Sequence, residues 1–185
     1  MGEAVAREIF TFNDPVRLVI GTVGVPGERE FFIQVRNESE LRSFAMEKGQ
    51  ASALAERCRE ILREIAFTQP SAPRDNAPLE TPIESEFPSG VMSLLWDAER
   101  GRFLLEIQSA ISPIDGTAAE DLLSDEEDGA PAILRVYFSA AQAKEFVRRT
   151  EEVVAAGRQP CMFCGGPIDI SGHLCPRANG YRRRD

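Results

Sequence analysis

Histidine is almost missing from this sequence: His173 is the only one in 185 residues. Hydrolytic and group-transfer chemistry usually recruits a base that titrates near neutral pH, most often histidine. The chain also lacks a Gly-x-Ser-x-Gly elbow, a P-loop, and a Gly-x-Gly-x-x-Gly run between a strand and a helix. Gly21-Thr22-Val23-Gly24-Val25-Pro26-Gly27 is glycine-rich, but it falls in a predicted hairpin. Carboxylate dyads stay open, because 30 acidic residues offer many pairs. The balance of these absences favours binding over catalysis.

No apolar run approaches the ~20 residues that span a bilayer. The first residues lack the apolar stretch of a secretory signal. Gly2 is followed by Ala6, where myristoylation wants Ser or Thr. A cytoplasmic protein with no membrane contact is therefore expected. Positive charge is also short, with 21 Lys and Arg against 30 Asp and Glu and a net charge of −9. It is unevenly placed. Residues 158–185 hold five arginines and two aspartates, so the rest of the chain is strongly acidic. An acidic body repels polyanions, and only the tail can meet a phosphate backbone favourably.

What is present reads as a globular protein: 43% hydrophobic and 28% charged residues, enough to build a core without disulfides. Alternating or β-rich runs predict strands at residues 8–12, 17–23, 30–36 and 41–46, with Pro26-Gly27 as a turn. Residues 50–66 have helical spacing, with Leu54, Cys58, Ile61, Leu62 and Ile65 on one face. Cys58 on that face is read as packing. Residues 69–88 carry Pro70, Pro73, Pro78, Pro82 and Pro88, a density that predicts a surface linker. Strands follow at 91–96 and 102–108 around an Asp97–Gly101 turn, then an acid-rich loop over 111–130 and a strand at 132–138. Ser139 caps a helix over 140–156, which Gly157 stops.

The two helices align without gaps. Gln50-Ala51-x-x-Leu54-x-x-Arg57-x-x-Glu60-Ile61-Leu62 matches Gln142-Ala143-x-x-Phe146-x-x-Arg149-x-x-Glu152-Val153-Val154. Each follows a hairpin and a strand. The expected fold is α+β: two β-hairpin–β–α repeats on an antiparallel sheet, with a C-terminal zinc knuckle. The expected divisions are 1–68, the linker 69–88, 89–157, and the tail 158–185. A duplicated unit usually packs with pseudo-two-fold symmetry, which makes the groove between halves the default pocket.

The knuckle rests on Cys161, Cys164, His173 and Cys175. Zinc takes four N or S ligands at tetrahedral corners, and Cys-x-x-Cys supplies two from one turn. Gly165 and Gly166 let backbone N–H groups approach the thiolates, and Ser171-Gly172 folds the chain back. A thioredoxin-like dithiol would need a strand before it and a helix after it. A disulfide is disfavoured in a reducing compartment. An iron–sulfur cluster usually wants four cysteines. Four protein ligands leave no open position, so the zinc is expected to be structural. Beyond it, Arg177, Tyr181, Arg182, Arg183 and Arg184 form a candidate polyanion contact.

The tail run Cys-x-x-Cys-Gly-x-Pro, then Gly-His-x-Cys-Pro-Arg-Ala-Asn-Gly-Tyr-Arg, resembles the end of an uncharacterised bacterial family. That family is labelled a repeat protein, domain of unknown function three thousand and ninety. Phe12-Asn13-Asp14-Pro15-Val16-Arg17, Gly21–Gly24, Phe31–Gln34, Glu47–Gln50, Pro82–Phe87 and Asp97-x-Glu99-Arg100 share the resemblance. It implies a cytoplasmic bacterial protein, often encoded beside phosphomutase-like and kinase-like proteins, and no assigned activity. The functional expectation is a zinc-stabilised protein-interaction or regulatory protein with an unidentified protein partner. The alternatives are a phosphometabolite-binding protein or enzyme using the inter-repeat groove, and a nucleic-acid-associated protein using the tail.

Overall fold

Some strands are buried on both faces and others on one. In Ile133–Phe138, Leu134, Val136 and Phe138 are buried while Arg135 and Tyr137 are half-exposed, as a one-faced strand requires. The computed structural model describes residues 7–110, 130–157, 160–166, 168 and 172–177. Its elements are β1 Ile9–Asn13, β2 Arg17–Val23, β3 Glu30–Arg36, β4 Leu41–Met46, α1 Lys48–Glu64, β5 Ser85–Asp97, β6 Arg102–Ser109, β7 Ile133–Phe138 and α2 Ala140–Ala155. The acid-rich loop expected over 111–130 lies outside the described residues except for Ala130.

The strands form one seven-stranded sheet in the order β1-β7-β6-β5-β4-β3-β2. The expected antiparallel sheet is corrected to a mixed one. β1 pairs with β7 in parallel, and so does β4 with β5. The hairpin connections give antiparallel neighbours, whereas α1 carries the chain from β4 back to start β5 in the same direction. Strands β2, β3, β4 and α1 are followed by β5, β6, β7 and α2 in matching order. Because β4 and β5 run parallel, strands of equal rank point the same way, three places apart. The halves are therefore displaced along the sheet, and the expected pseudo-two-fold arrangement is not met.

Both helices begin on a glutamine that folds back. The Glu47 N–H donates to Gln50 Oε1 at 2.8 Å, and the Ser139 N–H to Gln142 Oε1 at 2.9 Å. The same amides reach the sheet end: Gln50 Nε2 donates to the Ser89 carbonyl and Gln142 Nε2 to the Pro15 carbonyl. One main core draws on both halves, including Ile33, Phe44, Leu54, Ile61, Phe103, Val136, Phe138 and Phe146. Phe10, Phe44 and Phe87 pack edge-on or tilted, with Phe44 and Phe87 centroids 4.7 Å apart. Between the two helices a cleft of about 330 Å³ remains, lined by Arg59, Leu62, Phe67, Lys144 and Val147.

The proline-rich stretch has no helix or strand over residues 69–84 and is mostly exposed there. Its last four residues, 85–88, belong to β5, and Phe87 is buried. The rest lies over the sheet, where Leu79 closes a second apolar cluster with Val19 and Phe32. Two buried arginines pin it. Arg17 donates to Asp75 Oδ2 (Nε, 2.5 Å) and Oδ1 (Nη2, 3.1 Å) and to the carbonyls of Ala77 and Pro78. Arg149 of α2 donates to the Asp75 and Ala77 carbonyls, to Asp75 Oδ1, and to the Ile20 carbonyl on edge strand β2. Hydrogen bonds from the Arg17 guanidinium, with its charge, hold the Asp75 carboxyl below its usual range against the opposing effect of burial.

Candidate metal centre

After α2 the chain makes a small lobe, none of whose described residues belongs to either apolar cluster. Its first turn is closed by backbone bonds. The Cys161 N–H donates to the Gly166 carbonyl at 2.7 Å, and the Gly165 N–H to the Cys161 carbonyl at 2.8 Å. Gly165 sits at φ +73°, a conformation that L side chains rarely adopt. The Phe163 N–H points at Cys161 Sγ, 3.4 Å away. Backbone N–H groups of Cys164 and Phe163 hold the Cys161 thiol below its ordinary pKa. Gly172, at φ +87°, turns the chain so that His173 and Cys175 face this turn.

The donor atoms of Cys161, Cys164, His173 and Cys175 all lie within 4.8 Å of one another. Cys161 Sγ is 3.7 Å from Cys175 Sγ, and Cys164 Sγ is 3.7 Å from His173 Nε2. Metal–sulfur bonds of about 2.3 Å at tetrahedral angles place neighbouring sulfurs about 3.7 Å apart. Cys161 and Cys175 are buried, and Cys164 and His173 are half-buried. The donor set and its spacing fit a metal ion; these four residues would hold it, leaving no protein-free corner.

Cys58 stands apart. It is 1% exposed in the main core, and burial pushes its thiol up to about 12. It is neither a ligand nor a nucleophile at neutral pH. Of the candidate polyanion contacts, Arg177 donates to the Phe163 carbonyl at 3.2 Å and so ties the chain after Cys175 to the first turn. Tyr181, Arg182, Arg183 and Arg184 lie outside the described residues.

Sequence reasoning missed the buried pair Arg17 and Arg149 with their shared Asp75. Arg17, Asp75 and Arg149 are tens of residues or more apart, which leaves no local signal. Among the described residues no helix is long and apolar enough to cross a membrane.

Fold and site together define an α+β protein with a Cys3His cluster able to hold a metal ion. The chain belongs to a family described as protein of unknown function (DUF3090), whose model matches residues 10–175. That span contains all four cluster residues. No curated protein and no solved structure matches the chain.

Proposed function

We propose that this is a non-enzymatic protein-interaction or regulatory protein whose C-terminal lobe is built by a structural zinc. Cys161, Cys164, His173 and Cys175 are its ligands. Three thiolates and an imidazole are the set that zinc favours over harder cations. A structural zinc supplies folding free energy, on the order of 10 kcal/mol in small zinc peptides. That is ample for a lobe that lends nothing to the core.

One observation carries the reading. The ligand-bearing turns display Met162 (88% exposed), Phe163 (57%) and Leu174 (89%) to solvent. Apolar side chains held outward on a metal-braced turn serve contact with another protein, because they lend nothing to their own core. The Cys-x-x-Cys and His-x-Cys turns each supply part of this surface. The acidic body makes the partner a protein rather than a nucleic acid.

The test compares the full-length protein with the triple variant Met162→Ser, Phe163→Ser, Leu174→Ser. Both should carry one zinc per chain. A partner crosslinked in native lysate to the first and lost from the second supports the reading. Equal capture by both, or a chain purified without zinc, overturns it.

A further inference from the structure

The cleft between the two helices is built without any residue of the metal lobe and without an acidic side chain in its lining. Its apolar wall follows from how α1 ends. The Phe67 N–H donates to the Leu62 carbonyl and the Ala66 N–H to the Arg63 carbonyl, at 3.0 Å each. This pair of bonds closes a helix on a left-handed residue, most often glycine. Here that residue is Ala66, at φ +49°, and it lines the cleft. The same closure brings Phe67 back beside Leu62. Both are half-buried: each packs against the main core and also lines the cleft. Val147, 8% exposed, completes the wall from α2.

The rim is basic, and part of its charge is unused. Arg59 is neutralised by Glu151 of α2. Lys144 donates to the Gln69 carbonyl at 3.1 Å and pairs with no carboxylate among the described residues. An ammonium has three donors, so two remain. The Arg63 guanidinium has neither a hydrogen bond nor an ion pair among the described residues. The acids nearest to both in sequence are engaged elsewhere. Glu60 and Glu64 pair with Arg57, and Glu145 pairs with Arg148 while accepting the Asp75 N–H. Two cations without a carboxylate partner therefore border an apolar wall.

That combination selects among ligands. A bare anion such as acetate leaves the wall unused, and an uncharged chain leaves the cations unused. We propose that this cleft binds a hydrophobic monocarboxylate of the medium-chain fatty acid class. Its chain lies against Leu62, Phe67 and Val147, where burial of apolar surface drives binding. Its carboxylate is met by the Arg63 fork and the Lys144 ammonium. A volume of about 330 Å³ is at the small end of ligand clefts, which suits one short chain rather than a double-chained lipid. The site does not depend on the metal lobe, so this reading and the zinc reading fail separately.

The full-length protein is titrated calorimetrically with octanoate below its micelle concentration, and separately with octanol and with acetate, at fixed ionic strength. Saturable binding of one octanoate per chain is expected, with octanol about tenfold weaker and acetate not saturating. Arg63→Gln removes no side-chain contact among the described residues. Its unfolding midpoint should hold while octanoate affinity falls about fivefold. Arg100→Gln, at a 60% exposed position in the β5–β6 turn, should leave affinity unchanged. Absence of saturable octanoate binding overturns the proposal. So does octanol or acetate that binds as tightly as octanoate, or an Arg63→Gln protein with the parent's affinity.

Discussion

Replacing Asp75 by Asn keeps the side chain's shape and removes one charge, yet it should be among the most damaging single changes in this protein. Two guanidiniums, Arg17 and Arg149, share that carboxylate, with side chains only 8% and 7% exposed. Asp75 also accepts the Ala77 N–H at 3.0 Å. Asparagine presents an NH2 where one oxygen accepted a guanidinium, so it meets a buried cation with a donor. Breaking a buried charge pair from one side costs about 3–5 kcal/mol. For a chain of this length, each kcal/mol moves the melting point by about 2–4 °C. A fall of about 6–20 °C is expected, with a matching shift of the urea midpoint at constant slope.

The pH dependence supplies an independent check on Asp75. Its folded-state pKa lies below its unfolded value, so its contribution is complete above about pH 4–5. That contribution is lost as pH falls through the folded pKa. The parent protein should lose stability across this acid range, and Asp75→Asn should show a flatter curve there. A loss of less than about 1 kcal/mol, or an unchanged acid slope, would refute the idea that Asp75 is the keystone between the two arginines.

Leu79→Ala should destabilise by about 2–3 kcal/mol in urea unfolding, because Leu79 roofs Val19 and Phe32 at 9% exposure. Gly21→Ala should cost about 1–3 kcal/mol in the same assay, since its Cβ would lie 2.5 Å from Leu79 Cγ. Cys161→Ser should abolish zinc binding but leave the urea midpoint of the body within about 0.5 kcal/mol of the parent, because the lobe adds nothing to the core. After chelation, a thiol reagent at neutral pH should titrate three of the four cysteines, with Cys58 reacting only in denaturant.

The legible parts of this fold were the local ones. β2, β3 and β4 begin and end where their β-rich runs and Pro26-Gly27 place them, and the α2 cap is readable at Ser139. The metal cluster was readable for the same reason, since its four donors lie within fifteen residues. The helix alignment put Gln50 and Gln142 at matching positions, and both fold back in the structure. It could not tell Arg57, exposed beside Glu60 and Glu64, from Arg149, buried against β2. That difference depends on which strand each helix covers. The approach of Arg135 to Glu106 on the outer face was equally hidden, because it joins β7 to β6.

The proline-rich stretch is tied down for a physical reason. Prolines remove N–H donors from a segment while leaving every carbonyl in place. Such a segment cannot join a central ladder, so a solvated linker was the natural expectation. An excess of acceptors can instead be met by guanidiniums, and the carbonyls of Asp75, Ala77 and Pro78 are met this way. The same sequence fact, read from the acceptor side, points to arginine partners elsewhere in the chain.

The parallel pairing of β1 with β7 has a consequence for how the chain comes to be folded. Ile9 lies against Ile133 and Asn13 against Tyr137, so the first strand's partner emerges well after it. The β2–β3–β4 meander needs only neighbouring residues and can assemble early. β1 must wait, with Phe10 and Phe12 uncovered, until β7 has emerged beside β6. Contacts that distant slow folding, and an unpaired apolar strand is the segment most open to wrong partners meanwhile. For this protein the vulnerable interval opens with β1 and closes only when β7 is in place.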